Sequence, residues 1–401
     1  MLFDPNSKAF AADPYKAYGA LRESAPFHYY APWDVWLISR YADIDRLITD
    51  PRLGRSMDHR LDAAALAAQR EGWAEMPAFS RYVRVNLLEL EGAEHRRLRR
   101  LVQQALSPLR IQALSDPVQR MTDHLLDGAG AHGTVDFIAA IAEPLPVYVI
   151  AEILGIPPAD RHRLRPWSAD IVAYYEPDHD GADEQRAEAA AAEFAGYLVH
   201  ARRLRLAEPT DDLLSALTHA RIDDTALSED EVVATTMLLL NAGHEATVNA
   251  AGNGLLALLR HPEALARLRA EPALTASAVD ELLRYDAPLH FFHRWVLDPL
   301  ELGDTQLAPG AKIAFLYGSA NRDPDAFEAA DTLMLDRQPN RHFAFGRGHH
   351  LCLGAPLARL ELTTLLRSLL ARFPAPALAT GEPRFRTGFT FRGLERLDVT
   401  L

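Results

Sequence analysis

Apolar residues recur at helical spacing along most of the chain. The spacing predicts helices near residues 94–106, 143–154, 160–175 and 185–206. The segment VWLISRYADIDRLI has the pattern of a short strand that leads into a helix. Short strand patterns cluster late in the chain, at HRWVLD, LELGD, KIAFLY and the C-terminal FTFRGLERLDV. The pattern therefore predicts a mainly α-helical protein with small β-sheets.

The longest predicted helix begins after residue 228. Ser228 and Glu231 form an S-x-x-E capping box, and the helical pattern continues to about Leu259, before His261-Pro262. At 1.5 Å per residue such a helix is about 45 to 50 Å long. It contains Gly243, Gly252 and Gly254, and each glycine costs roughly 1 kcal/mol relative to alanine in a helix interior. Either close packing or a functional site is therefore expected to compensate at these positions.

Composition agrees with an ordinary folded protein. Of the 401 residues, 48% are hydrophobic and 24% are charged. The sequence contains no internal repeat and no Gly/Ser linker, and the acidic segment EPDHDGADE at 176–184 is expected to be a surface connection between two helices. We therefore expect one domain that spans residues 1–401.

Charge and cysteine content restrict the class of protein further. The formal net charge of -13 argues against nonspecific nucleic-acid binding, and a single cysteine excludes an internal disulfide. The first residues, MLFDPNSKAF, lack the order of a signal peptide, and no apolar run approaches the ~20 residues that span a bilayer. A cytoplasmic monomer without a membrane anchor is expected.

The sole cysteine, Cys352, lies in the segment HFAFGRGHHLCLG at 342–354. The residues that follow, Ala355 to Arg372, have the pattern of a helix, so the thiol precedes a helix N-terminus, where the dipole stabilises a thiolate. A small buried apolar residue is one interpretation. A catalytic thiol lacks a recognisable signature despite His349 and His350, and zinc would need several more ligands. A single thiolate on the iron of haem remains, for which cysteine is an established axial ligand.

The same segment resembles the haem loop of the cytochrome P450 family. The FGxGxHxCxG pattern is filled by Phe345, Gly346, Gly348, His350, Cys352 and Gly354. The resemblance implies that this loop contacts the haem and that Cys352 is the ligand of its iron. It also implies the fold of the family, in which the haem lies between a long central helix and the helix that follows the cysteine loop.

Further family motifs occur in order along the chain. Glu281 and Arg284 match the family's ExxR, with Arg337 following in DRQPNRH, and the resemblance assigns these three residues to a structural ion-pair network. EHRRLRRLV at 94–102 resembles the haem-contacting helix, and HFFHRW resembles a haem-contacting strand. The resemblance assigns four cations to the haem propionates, and two buried carboxylates need such partners: His95, Arg99, Arg294 and His342.

The segment NAGHEATVN at 241–249 resembles the oxygen-activating part of the family's central helix. Ala242 and Gly243 leave room for dioxygen, and Glu245 matches the family's acid. Ala246 stands where the family usually has a threonine, and Thr247 lies about 100° further round the helix, so it cannot simply substitute. Either a substrate hydroxyl with a water replaces the missing hydroxyl, or the alanine makes room for a bulky substrate. An HExxH zinc motif is excluded because the second histidine is missing.

The resemblance implies a soluble bacterial type of monooxygenase that holds haem b noncovalently and inserts one oxygen atom from O₂ into a small organic substrate. Electrons are expected from a separate redox protein, since no nucleotide-binding fingerprint occurs in the chain. The resemblance implies that this protein is a ferredoxin, which receives electrons from NAD(P)H through its reductase. A haem-binding sensor or carrier without turnover is one alternative, for which Ala246 is the only support. A peroxide-using enzyme of the same fold is another.

Two surfaces are predicted for the partners of this enzyme. The aromatic content suggests a substrate that contains a ring. Asn241 or His290 is expected to form a hydrogen bond with a polar group of this substrate. Basic residues near the haem motifs are expected to dock an acidic redox protein: Arg96, Arg97, Arg100 and Arg347. Several of the residues expected at the substrate pocket have packing in the core as an alternative role. By position in the family pattern, the expected pocket residues are Leu87, Leu88, Tyr174, Leu238, Asn241, Ala242, Ala246, Leu289, His290, Phe292 and Phe391.

Overall fold

Helices dominate the computed structural model, which describes residues 3–71, 73–130, 133–222, 224–379 and 381–401. None of the described helices is both long and apolar enough to cross a bilayer. In chain order the helices are α1 (Lys8–Ala12), α2 (Pro14–Ser24), α3 (Tyr41–Leu47), α4 (Ala63–Glu71), α5 (Pro77–Tyr82), α6 (Gly92–Ala105), α7 (Pro108–Ala113), α8 (Ser115–Gly130), α9 (Pro144–Ile153), α10 (Leu164–Ala173), α11 (Gly181–Ala207), α12 (Leu213–His219), α13 (Glu229–Arg260), α14 (Pro262–Ala270), α15 (Thr275–Tyr285), α16 (Tyr317–Ala320) and α17 (Ala355–Arg372).

The strands are short and form small sheets. They are β1 (Phe27–Tyr30), β2 (Val35–Ile38), β3 (Leu53–Gly54), β4 (Thr134–Asp136), β5 (Arg221–Ile222), β6 (Thr225–Ala226), β7 (Phe291–Val296), β8 (Leu300–Leu302), β9 (Thr305–Leu307), β10 (Lys312–Leu316), β11 (Ala377–Leu378) and β12 (Asp398–Thr400). The largest sheet has the order β1-β2-β10-β7-β3, in which β10 runs parallel to β2 and antiparallel to β7. A mainly α-helical fold with small sheets is therefore confirmed.

The predicted elements agree with the observed ones where the local signal is strong. The strand and helix predicted from VWLISRYADIDRLI are β2 and α3. The long helix α13 begins as predicted, because the Glu231 N–H donates to Ser228 Oγ and the Ser228 N–H donates to Glu231 Oε2. Residues 174–180 connect α10 to α11, so the connection predicted at 176–184 ends earlier than expected. Helix α11 begins at Gly181, because Asp180 and Asp183 form a capping box.

Two predicted elements differ from the structure. The helix predicted at 160–175 starts with a 3₁₀ turn over Pro158–Arg163, and its α-helical part, α10, begins at Leu164. The strand predicted from FTFRGLERLDV is wrong over most of its length, since regular pairing is limited to β12. Before β12, the segment pairs with other parts of the chain only through isolated β-bridges, such as the bridge between Leu289 and Phe391. It therefore forms no continuous strand there.

The chain divides into two compact units. The first comprises Met1–Leu53, Asp116–Pro146 and Glu245–Leu401, and the second comprises Gly54–Ser115 and Val147–His244. In the first unit, apolar side chains of β2, α3, β7 and β10 pack together in one buried cluster that includes Phe343, just before the cysteine loop. Helix α13 contributes residues to both units. The single domain over residues 1–401 stays a prediction.

Candidate functional site

The cysteine loop is closed by backbone hydrogen bonds. The Cys352 N–H donates to the Phe345 carbonyl at 3.0 Å, and the Gly346 N–H donates to the Phe343 carbonyl at 2.8 Å. Gly346 and Gly348 have φ angles of 65° and 75°, which L side chains rarely adopt. A Cβ at Gly348 would also lie 2.9 Å from Thr49 Cγ2. These two glycines are therefore required by the shape of the loop.

The position of Cys352 relative to the following helix is as predicted. Helix α17 begins at Ala355 with Pro356 in its first turn, and Gly354 is its N-cap residue. Cys352 lies two residues before this cap and is exposed. The free N–H groups and the dipole at a helix N-terminus stabilise a thiolate. The side chain is thus placed to serve as a metal ligand.

Two predicted haem-contacting cations lie in the same unit as Cys352. Arg294 on β7 is buried, with its guanidinium 5.7 Å from the ring centre of Phe292. His342 accepts the Ala344 N–H at Nδ1 (3.2 Å), and its Nε2 lies 3.4 Å from Asp280 Oδ1. Both nitrogens of His342 thus have protein partners, so a propionate would have to share this histidine with Asp280.

The other two predicted cations lie on α6, in the second unit. His95 is buried and Arg99 is half-buried. Because they are four residues apart on one helix, they share a face, as predicted. Their contact with the same prosthetic group as Arg294 stays a prediction.

Glu281 is the centre of a fully buried ion-pair network. Arg284 Nε and Nη2 donate to the two carboxylate oxygens of Glu281, each at 2.8 Å. Arg337 Nε donates to the same oxygens at 3.1 and 3.0 Å. Both guanidinium groups also donate to the carbonyl of Thr332. Because removing one partner would leave a buried charge uncompensated, this network holds the chain between α15 and the cysteine loop in place.

The middle of α13 has one open face made of small residues. Ala242 and Gly243 are exposed and Ala246 is half-buried, although they lie in the interior of a 32-residue helix that is mostly buried. A Cβ at Gly252 would lie 2.6 Å from Ile138 Cδ1, so close packing accounts for that glycine. At Gly243 no described atom lies within 4 Å of the Cβ position, apart from the adjacent residues and the nearby backbone of α13 itself. Packing against other elements therefore does not explain Gly243, and its functional role stays a prediction.

Glu245, the predicted acid, is held by two neighbours. Arg386 Nη1 donates to Glu245 Oε1 at 2.7 Å, and Asn249 Nδ2 lies 3.3 Å from the same oxygen. Arg386 Nη2 also lies 3.7 Å from Glu143 Oε1. The adjacent Thr247 is buried while Ala246 is half-buried, so the two side chains are on different faces of α13. The arrangement fixes a carboxylate beside the open face.

The residues predicted to line a substrate pocket are distributed over both units. Leu289 and Phe391 form a backbone bridge to each other in the first unit. His290 is buried and its Nδ1 lies 2.8 Å from the Tyr18 hydroxyl, and burial lowers the pKa of this histidine to about 3. Half-buried Phe292 and Ala246 are also in the first unit. The remaining predicted residues are in the second: buried Leu87 and Asn241, half-buried Leu88, Tyr174 and Leu238, and the exposed Ala242.

The predicted basic docking surface is only partly available. Arg96 and Arg100 are exposed on α6. Arg97, between them, forms ion pairs with Glu231 and Glu94, and in the other unit Arg347 forms an ion pair with Asp45. Two of the four predicted cations are therefore partly neutralised by acids of the chain itself.

No sequence motif indicates several residues that contact the predicted site residues or lie close to them in the chain. Arg386 follows Glu245 by 141 positions, and no motif connects them. Arg359 donates to Asp280 at 2.8 Å. Burial raises the pKa of Asp280, but hydrogen bonds from His342 and Arg359 lower it more, so the pKa lies below its usual value. Glu361 on α17 is buried, and burial raises its pKa to about 8. Among these residues only Glu361 has a sequence signal, since it is a glutamate among the buried apolar positions of α17.

The donor set fits a haem. A haem bound through one thiolate needs a single cysteine, and the carboxylates of its two propionates need cations as partners. In the first unit the chain supplies Cys352 before α17 and the buried guanidinium of Arg294. The chain has no second cysteine for a zinc or iron–sulfur site of several thiolates.

Comparison with known proteins gives consistent similarity along the whole chain. The Cytochrome P450 family model matches residues 160–388. Polyketide biosynthesis cytochrome P450 PksS of Bacillus subtilis is 35% identical over 100% of this chain and 99% of its own length, and its solved structure has a TM-score of 0.90. The 6-deoxyerythronolide B hydroxylase of Saccharopolyspora erythraea is 35% identical over 99% of this chain and 98% of its own length. The structure of P450BioI in complex with an acyl carrier protein ligated to hexadec-9Z-enoic acid is 32% identical, with a TM-score of 0.90 and coverage of 98% and 99%.

Proposed function

Because this chain belongs to the cytochrome P450 family, we infer that it is a haem-thiolate monooxygenase that inserts one oxygen atom from O₂ into a small organic substrate. The inference rests on similarity over the full length of relatives that include a named hydroxylase. The placement of Cys352 before α17 carries the proposal for the site itself. A haem sensor without turnover is not favoured, since Gly243 and Glu245 retain the features of an oxygen-activating helix.

We propose that Cys352 would hold haem b by binding its iron through the thiolate. When bound, the haem would supply the chemistry that activates O₂. The glycine loop holds the thiol in place, and cations neutralise the propionates. The residues proposed to hold the haem are His95, Arg99, Arg294, His342, Phe345, Gly346, His350, Cys352 and Gly354.

Residues of α13 are proposed to transfer protons and to leave room for dioxygen and the substrate. Gly243 and Ala246 leave the helix face open, while Glu245 exchanges protons with solvent at its carboxylate. The ion pair with Arg386 keeps that carboxylate in one position. Because Ala246 lacks a hydroxyl and Thr247 is buried, a water held by the substrate would have to complete the proton path.

Substrate, electron source and location are proposals as well. The pocket residues given above would bind a small organic molecule, with Leu289 and Phe391 adjacent in space. Electrons would come from NAD(P)H through a ferredoxin reductase and a ferredoxin that docks at a basic surface including the exposed Arg96 and Arg100. A cytoplasmic location, where reduced nicotinamides are available, agrees with this supply, and a monomer would suffice.

The decisive experiment uses the purified haem-loaded protein and a substrate found by haem spectral shift. Product should form with O₂, reduced nicotinamide, ferredoxin and reductase together, and product should fall when any one is omitted. Equal product with hydrogen peroxide alone would favour a peroxide-using enzyme. Substrate binding without any product under both conditions would favour a sensor or carrier.

A further inference from the structure

Arg84 lies between α5 and α6 with its guanidinium among aromatic rings. The guanidinium carbon is 5.2 Å from the ring centre of Trp73 and 5.6 Å from those of Phe79 and Tyr174. The Phe79 and Tyr174 rings are themselves in contact, with centres 4.4 Å apart. Arg84 is half-buried. Aromatic rings attract a cation but do not neutralise its charge.

The hydrogen bonds of Arg84 leave part of the guanidinium unused. Nη2 donates to the Tyr174 hydroxyl at 2.7 Å and contacts Met76 Sδ at 3.9 Å, and Nη1 donates to Ser80 Oγ at 3.2 Å. All three acceptors are neutral. Nε–H, one of the five guanidinium donors, has no acceptor among the residues that the structure describes.

Three acids that contact α5 or follow Arg84 in the chain are engaged elsewhere. Asp230 accepts two hydrogen bonds from Arg81, each at 2.8 Å. Glu188 accepts the N–H groups of residues 78 and 79 at the start of α5, and Glu89 accepts from Arg55. Within the described ranges, no carboxylate pairs with Arg84. The chain thus keeps a half-buried positive charge without an acid, although it pairs the neighbouring arginines.

We propose that Arg84 binds the carboxylate of an organic substrate. Nη1 and Nη2 already donate to neutral acceptors, so the Nε–H is the donor left for a carboxylate, and carboxylates prefer to approach a guanidinium in its plane. Trp73 and Phe79 offer apolar contact to the body of such a molecule. The proposal rests on the proposed function, which places Tyr174 and Leu87 in the substrate pocket.

Calorimetric titration of the haem-loaded protein tests this proposal. The probes are dodecanoate and 4-phenylbutyrate, each compared with its own primary amide, which has the same shape without the charge. In the wild type, at least one carboxylate should bind more tightly than its amide by about tenfold or more, as one charged hydrogen bond provides. Arg84→Gln should remove that preference while amide binding stays comparable.

Arg81→Gln is the matched control, because it removes the same charge from an exposed arginine that already has an acid partner. It should keep the carboxylate preference. No preference in the wild type, an equal loss in Arg81→Gln, or equal weakening of amides and carboxylates in Arg84→Gln would overturn the proposal. Acetate that binds as tightly as dodecanoate would also overturn it, since the site would then take any small anion.

The same samples separate this proposal from the proposed function. After reduction under carbon monoxide, a haem-thiolate protein shows a strongly red-shifted Soret band. If that band is present and the carboxylate preference is not, only the role of Arg84 is rejected. If the wild type lacks the band, the proposed function itself is rejected.

Discussion

Arg386 and Glu245 form a charge-assisted hydrogen bond, in which Arg386 Nη1 donates to Glu245 Oε1 at 2.7 Å. The pair joins the C-terminal segment to the middle of α13. Glu245 is mostly buried, with 16% of its side chain exposed, whereas 37% of Arg386 is exposed. Hydrogen bonds to an ionised group are roughly twice as strong as neutral ones. The arginine therefore holds the acid beside the open face of the helix.

Replacing Arg386 by glutamine should impair coupling and leave haem binding unchanged. Without its cation, Glu245 keeps only Asn249 as a partner among the residues that the structure describes, and it loses its fixed position. We expect several-fold less product per reduced nicotinamide, which is within the range by which a mispositioned proton donor slows catalysis. Arg384→Gln, which changes an exposed arginine two positions away, is the control. If both variants couple as well as the wild type, the ion pair has no role in proton delivery.

Glu361 should make the folded state less stable as pH rises. Burial raises its pKa to about 8, whereas the ordinary value is 4.5. Between these pH values the unfolded chain loses the proton and the folded chain keeps it, so stability falls across this window. Glutamine cannot ionise, so the unfolding free energy of Glu361→Gln should not show this fall. The difference in unfolding free energy between Glu361→Gln and the wild type should therefore be larger at pH 8 than at pH 5, by on the order of a few kcal/mol in favour of the variant.

Urea unfolding of both proteins at pH 5 and pH 8 measures this effect. Glu263→Gln, which changes an exposed glutamate, should follow the wild type at both pH values. An identical pH dependence in Glu361→Gln and in the wild type would show that this carboxyl ionises normally in the folded protein.

The glycines of α13 should respond oppositely to alanine. At Gly252 the new methyl would lie 2.6 Å from Ile138 Cδ1, and such overpacking lowers the unfolding free energy by about 1 to 3 kcal/mol. At Gly243 the methyl meets open space, so helix propensity should raise the unfolding free energy by up to about 1 kcal/mol. Gly243→Ala should nevertheless lose turnover, because it fills the open face.

Thermal or urea unfolding and product assays on the same two variants test this contrast. Ile138→Val removes the clashing carbon and should partly rescue Gly252→Ala. A stable and fully active Gly243→Ala enzyme would mean that the open face of α13 has no functional use.

How much the sequence predicts depends on whether the signal is local. The loop glycines, the capping box of α13 and the bounds of α17 follow from adjacent residues, and the structure has them where they were expected. The pairing of Arg386 with Glu245 spans 141 positions and depends on how the C-terminal segment packs. The alternation of apolar and polar residues predicts too long a strand in the C-terminal segment. Most of that segment forms only isolated bridges, such as Leu289 to Phe391, instead of a regular ladder of hydrogen bonds.

Ala246→Thr tests how protons reach the site. The assistance hypothesis requires a substrate hydroxyl to hold a water, so an analogue without that hydroxyl should bind to the wild type but divert reducing equivalents to hydrogen peroxide. The threonine hydroxyl should partly restore coupling with the analogue. Peroxide and product are measured together per reduced nicotinamide. Equal coupling of the two compounds in the wild type would leave only the interpretation that alanine makes room for the substrate.

The reduced carbon monoxide spectrum tests the central claim most directly, namely that Cys352 is the thiolate ligand of a haem. Cys352→Ser should lose the strongly red-shifted Soret band that the wild type shows, because the thiolate is gone while the loop glycines remain. Leu351→Ala, at the exposed neighbouring position, should keep the band. A red-shifted band that survives in Cys352→Ser would contradict the account.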